Sequence, residues 1–121
     1  MQLISQARDG RQVIERYAAS GFRVSGVIYP GPVLVFLDRT ETWAEPAFTA
    51  EGLAPVLAHG GVELLLLGFG RRIAPVSIEL RAALKAGGIK VEPMDTGAAC
   101  RTYNMLAAED RRVAAALLPP V

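Results

Sequence analysis

Residues 94–104, MDTGAACRTYN, gather the chain's only cysteine, an arginine, a tyrosine, an asparagine and two side chains that start helices. Three kinds of chemistry could use such a stretch. A thiol in the first turns of a helix becomes nucleophilic when the helix lowers its pKa. Free amides at a helix start, with the helix dipole behind them, hold an anion. Or Asp95 and Thr96 do no more than cap, each offering a side-chain oxygen to an amide of the first turn. A second stretch, GFGRR, adds two glycines and two guanidinium groups. Gly68, Gly70, Arg71, Arg72, Thr96, Gly97, Ala98 and Arg101 together make a candidate site for a small anion, a phosphate or a nucleotide.

The thiol route lacks a base. A cysteine nucleophile needs one, and the only histidine, His59, falls at the end of another helix, on the opposite edge of the expected sheet. Cys100 therefore reads as a small packed thiol, and His59 as a solvent-facing helix end. Asp9, Glu15, Asp38 and Glu41 show no spacing for a metal cluster or an acid pair. A lone cysteine excludes an intrachain disulfide and a cysteine-based zinc site. No catalytic residue, metal or cofactor is expected. For the anion, a bare GxG lacks the third glycine and the ribose-binding acid of a dinucleotide fingerprint, and Asp95 competes for the same amides. The stretch reads first as a strand stop and a helix cap, with Thr96 as the capping side chain, and only second as half of an anion site. Thr102 and Tyr103 share the face of Ala99 and Leu106 and point inward. Asn104 lies with Cys100 on a different face, where it could be exposed.

These residues need elements to hold them. At 121 residues the chain is long enough for one domain, 1–121, with a single core. Hydrophobic residues make up 51% and charged residues 21%, a globular balance. A formal net charge of +1 lacks the basic excess of a nucleic-acid binder. The opening MQLISQARDG has no apolar run of the signal-peptide kind, and the longest apolar stretches, 62–69 and 113–118, are too short to span a membrane. A cytoplasmic protein, not embedded in a membrane, is the expectation.

VIERY, FRVSGV and VLVFLD read as strands separated by Ser20-Gly21 and Pro30-Gly31-Pro32. VLVFL is apolar on both faces, as a doubly buried strand requires. Residues 39–48 are a polar loop outside the sheet, with Trp43 as its anchor. Thr49 caps a helix over 50–58 that stops at His59-Gly60-Gly61. VELLLL (62–67) is a buried strand, Ser77 caps the helix IELRAALKA, and Gly87-Gly88 ends it. IKVEP (89–93) is the next strand, followed by the helix of GAACRTYNMLAAED and a last strand in RRVAAALL. VELLLL and IKVEP should be adjacent, parallel and central. The connection before RRVAAALL is so short that this strand could run antiparallel to its neighbours. The N-terminal strands either extend the sheet or form a second one. Alternating strands and helices argue for an α/β fold with a mostly parallel sheet, whose carboxyl edge would carry both candidate turns.

FRVSGVIYPGPVLV, VELLLLGFGRR and IELRAALKAGGIKVEPMDTGAACRTYNMLAAEDRRVAAALLP resemble a small domain-of-unknown-function family, and DTGAACRTYN is the most specific piece. The family is found in bacteria, archaea and eukaryotes, and it includes mitochondrial complex I assembly factor three and an adipogenesis-associated protein. This chain resembles a bacterial member. The resemblance implies a three-layer α/β domain around a mixed five-stranded sheet with one antiparallel strand, with the N-terminal strands beside it. It also implies a non-enzymatic interaction or assembly-factor-like protein with a protein partner, and it is compatible with a homo-oligomer. It supplies no catalytic residues. Phe69 departs from the family's GTG, which removes a hydroxyl from that turn.

Overall fold

Strands apolar on both alternating sets of residues must be covered on both sides, and that requirement organises the molecule. The computed structural model describes residues 10–120. In chain order they form β1 (Ile14–Ala18), β2 (Gly21–Val24), β3 (Val27–Pro30), β4 (Val33–Val35), β5 (Thr40–Thr42), α1 (Ala54–His59), β6 (Leu64–Phe69), α2 (Ile78–Ala86), β7 (Lys90–Met94), α3 (Thr96–Ala108) and β8 (Val113–Leu118). The result is mixed α/β with two sheets. β1, β2 and β3 make an antiparallel meander, and a five-stranded sheet runs in the order β5-β4-β8-β6-β7. β6 is parallel to both β7 and β8, whereas β4 is antiparallel to both β8 and β5.

Successive residues of the inner strands serve two cores. Leu66, Ala115, Val33 and Val35 face a cluster completed by Ile14, Phe22 and Val24 of the meander and by Ala99, Tyr103 and Leu106 of α3. Leu65, Leu67, Ala114, Ala116 and Leu34 face a cluster completed by Trp43, Leu53, Val56, Leu80 and Leu84. From β6 the chain steps to one side through α2, then back past β6 to the other side through α3. The two steps run in opposite directions, and the helices lie on opposite faces, α3 against the first cluster and α2 against the second.

Several sequence expectations are corrected. VELLLL and IKVEP are adjacent and parallel, but β7 is an edge strand and β8 holds the centre. Pro93 has no amide to give a second neighbour, and Lys90 and Glu92 are exposed, as suits an edge. β8 is antiparallel only to β4. A short connection suffices for its parallel pairing with β6, because the 13 residues of α3 already carry the chain back about 20 Å. The segment 39–48 does not lie wholly outside the sheet, since Thr40–Thr42 pairs with β4. Its anchor is as expected: Trp43 is buried and its indole N–H donates to the Gly52 carbonyl at 2.9 Å. The helix expected over 50–58 begins only at Ala54, with a proline in its first turn. Thr49 closes a separate turn, its hydroxyl accepting from the Gly52 amide. FRVSGV is not one strand: it turns at Ser25-Gly26 into β3, which the sequence expectation lacked, so β1–β3 form a second sheet while β4 joins the first. Among the described residues no helix is long and apolar enough to cross a membrane. Asp9 lies outside the described residues.

The largest correction concerns α3. Asn104 is buried, not exposed. Its side-chain oxygen accepts from the Ile14 amide at 2.9 Å and its amide nitrogen donates to the Ile14 carbonyl at 2.8 Å. The side chain thus pairs with β1 as a neighbouring strand would, because the meander lies over the helix face that an isolated helix would show to water. Replacing Asn104→Ala strands one donor and one acceptor in the interior. At about 1–3 kcal/mol for each group, urea denaturation should show a loss of roughly 2–5 kcal/mol, with hydrogen exchange at the Ile14 amide accelerated most.

Candidate functional site

The carboxyl ends of β6 and β8 and the start of α3 meet at one side chain. Thr96 is fully buried. Its hydroxyl accepts from the Gly70 amide at 2.8 Å and donates to the Leu118 carbonyl at 2.6 Å, while its own amide donates to the Gly70 carbonyl at 2.8 Å. Glycine is needed twice beside it. A Cβ on Gly68 would stand 2.7 Å from a Leu117 methyl and 3.1 Å from the Thr96 hydroxyl. Gly70 turns the chain with φ +79°, where other residues are strained. Thr96 is therefore not the cap. Asp95 is, its carboxylate accepting from the Ala98 amide at 2.9 Å.

Gly68, Gly70, Thr96, Gly97 and Ala98 come together as the parallel pairing of β6 and β7 requires. Three of the amides that could cradle an anion are engaged: Gly70 by the Thr96 hydroxyl, Thr96 by the Gly70 carbonyl, Ala98 by Asp95. Tyr17, from the meander, covers the helix start. Its hydroxyl would lie 2.6 Å from a Cβ on Gly97, and it accepts from Arg101 Nη1 at 3.4 Å. Arg71 and Arg72 are exposed instead at the mouth of an open groove of about 660 Å³, walled by Phe69, Leu118, Pro119 and Ala19. Ala19, Tyr17 and Pro119 escape sequence reasoning because only the tertiary fold brings the first hairpin and the chain's last turn to this edge.

Cys100 is fully buried among apolar neighbours, and that burial pushes its thiol up to about 12. It is the packed thiol expected, with no thiolate at neutral pH. Tyr103 is likewise raised by burial, and its hydroxyl donates to the backbone carbonyl of Gln12 at 3.1 Å, with the Phe36 carbonyl at 3.3 Å. His59 is not solvent-facing. Its ring stacks on Phe36 at 4.1 Å, Nε2 sits 2.7 Å from Asp38 Oδ1, and Nδ1 sits 2.8 Å from the Gly60 carbonyl. The bond from His59 Nε2 is the main cause holding the Asp38 carboxyl below its ordinary value. Among the described residues no three His, Cys, Asp or Glu side chains come close enough to hold a metal ion.

The molecule is a two-sheet α/β protein whose sheet edge is closed by its own hydrogen bonds. Residues 14–118 match the family model described as "Protein of unknown function (DUF498/DUF598)", and the chain belongs to that family. An uncharacterised protein of Rhodobacter capsulatus is 39% identical over 111 residues, covering 91% of this chain and 86% of the relative. The NADH dehydrogenase [ubiquinone] 1 alpha subcomplex assembly factor 3 of Danio rerio is 37% identical over 89% of this chain, and the Homo sapiens protein of that name is 30% identical over 88%. The chain spans only 64% and 60% of those two proteins. Among solved structures, an outer membrane protein from Bartonella henselae superposes with a TM-score of 0.83 at 34% identity, covering 91% of this chain and 96% of that one. A Bordetella pertussis protein described as an Mth938-like domain gives 0.81 at 29% identity over 99% and 93%.

Two measurements check the site. Thr96→Val leaves the Gly70 amide and the Leu118 carbonyl without their partner and should cost about 2–5 kcal/mol, whereas Asp95→Ala should cost about 1 kcal/mol as a lost cap. The order of the two in urea denaturation is the result to read. For Cys100, the folded thiol keeps its proton to about 12 while the unfolded thiol loses it near 9.0. The folded state binds more protons in that window, so stability falls as pH rises from about 9. The decline attributable to this residue approaches 1.4 kcal/mol per pH unit and should vanish in Cys100→Ala, while alkylation of the native protein at neutral pH stays slow.

Proposed function

We propose that this chain is a non-enzymatic, assembly-factor-like domain that works by binding another protein. The observation that supports it is the 37% identity, over 89% of the chain, to an NADH dehydrogenase assembly factor. The site chemistry agrees with that reading. The one thiol is buried and protonated, the one histidine is engaged with Phe36, Asp38 and Gly60, and the turn amides have internal partners. In this reading 1–121 works as one cytoplasmic domain, alone or as a homo-oligomer, with no cofactor.

The test is affinity purification of the tagged protein from its native host, followed by reconstitution from purified components. The expected outcome is one protein recovered in fixed ratio in independent preparations, whose complex with this chain re-forms in vitro and raises its melting temperature. A chain that purifies alone at native abundance and turns over a small molecule would overturn the proposal.

A further inference from the structure

Beyond the sewn turn, the chain from Arg71 to Val76 runs exposed towards α2, with only Val76 partly covered. None of these residues has a backbone hydrogen-bond partner within the described residues. Arg71 and Arg72 also lack any side-chain hydrogen bond or ion pair there. No acidic residue occurs between Gly68 and Ile78. Ile73 and Ile78 are 57% and 83% exposed. Behind the two arginines lies the groove walled by Phe69, Leu118 and Pro119. Positive charge, unpaired backbone and an apolar recess therefore coincide on one surface.

We infer that this surface binds an acidic segment of a partner protein, with carboxylates on Arg71 and Arg72 and an apolar side chain in the Phe69–Leu118–Pro119 groove. The inference rests on the protein-binding function proposed above and names its surface. Charge complementarity selects the acidic character, since two guanidiniums without an internal carboxylate are open to bidentate pairing. The groove selects an apolar side chain beside the acids. The solvated backbone of 71–76 leaves amides and carbonyls that the backbone of a bound segment can pair with. A small anion would meet the arginines without the amides of Gly70, Thr96 and Ala98, which are already engaged.

The probe is an end-blocked hexapeptide with Leu-Phe flanked by two glutamates on each side, titrated into isotopically labelled protein and followed by NMR. Its controls are the same peptide with glutamines for glutamates, one with Ala-Ala for Leu-Phe, inorganic phosphate, and vesicles of mixed phosphatidylglycerol and phosphatidylcholine. The expected result is saturable shifts in the amides of Phe69, Arg71, Arg72, Ile73 and Leu118, at least tenfold weaker binding by either control peptide, and loss of the shifts in the folded double variant Arg71→Glu, Arg72→Glu. No shift at these residues up to millimolar hexapeptide overturns the inference. So do equal shifts from phosphate alone, and so does binding to the vesicles that the peptide cannot displace. The proposed function fails separately. If the purified wild type captures no partner, that reading is wrong. If wild type and double variant capture the same partner equally well, the protein is a binder and only this surface is wrong.

Discussion

One buried hydroxyl holds three chain segments at a common point. The hydroxyl of Thr96 meets the Gly70 amide and the Leu118 carbonyl, and so ties the turn after β6, the end of β8 and the start of α3. A hydroxyl can donate once and accept twice, and one left alone in the interior would cost several kcal/mol. Its two bonds make the site favourable only if both partners stand where they do. That in turn needs a bare Cα at Gly68, so the threonine can approach, and a left-handed turn at Gly70. The four residues are mutual conditions. Remove either glycine and the hydroxyl loses its place.

The direction of α3 follows from that anchor. Starting over the ends of β6 and β8, the helix must recross the sheet to reach β8, so its inner face meets Leu66 and Ala115. What remains would be open to water without the meander β1–β3. With it, Tyr103 reaches the carbonyl of Gln12, Asn104 satisfies Ile14, and Cys100 disappears from solvent. The tyrosine, asparagine and cysteine that resemble chemical equipment in the sequence are thus structural. Each of the two polar side chains answers a backbone group that the second sheet would otherwise bury unpaired.

Period and punctuation made much of this legible. Doubly apolar runs announced β4 and β6, and Ser77 and Gly87 bracketed α2, whereas the edge position of β7, which the missing amide of Pro93 suits, was misread as central. What stayed illegible depends on distant residues. Nothing near Asn104 reveals that a hairpin from residues 14–30 will cover it, and nothing near His59 reveals its stack on Phe36. Thr96 and Asp95 are both good caps by type, and local sequence cannot separate them. The decision is made by Gly70 and Leu118, which need the hydroxyl more than the helix does. The candidate site was half legible: its turns were found and rightly placed on one edge, but Tyr17, Ala19 and Pro119 come from the far ends of the chain.

The carboxyl edge of an open α/β sheet usually binds ligands because strand ends and helix starts leave amides free there. In this fold the Gly70, Thr96 and Ala98 amides are used in closing the edge. What the edge still offers is carried by side chains on the segment that leaves it: two guanidiniums, two exposed isoleucines and an apolar groove. A converging cradle of amides recognises a small, compact charge. Guanidiniums on an exposed loop are free to pair with carboxylates carried by another chain. With a net charge of only +1 over the chain, these adjacent arginines concentrate positive potential on one stretch and can orient an incoming acidic surface before contact. The hydrogen bonds that stabilise the turn thus take up the Gly70, Thr96 and Ala98 amides and leave side chains as what that corner of the edge presents.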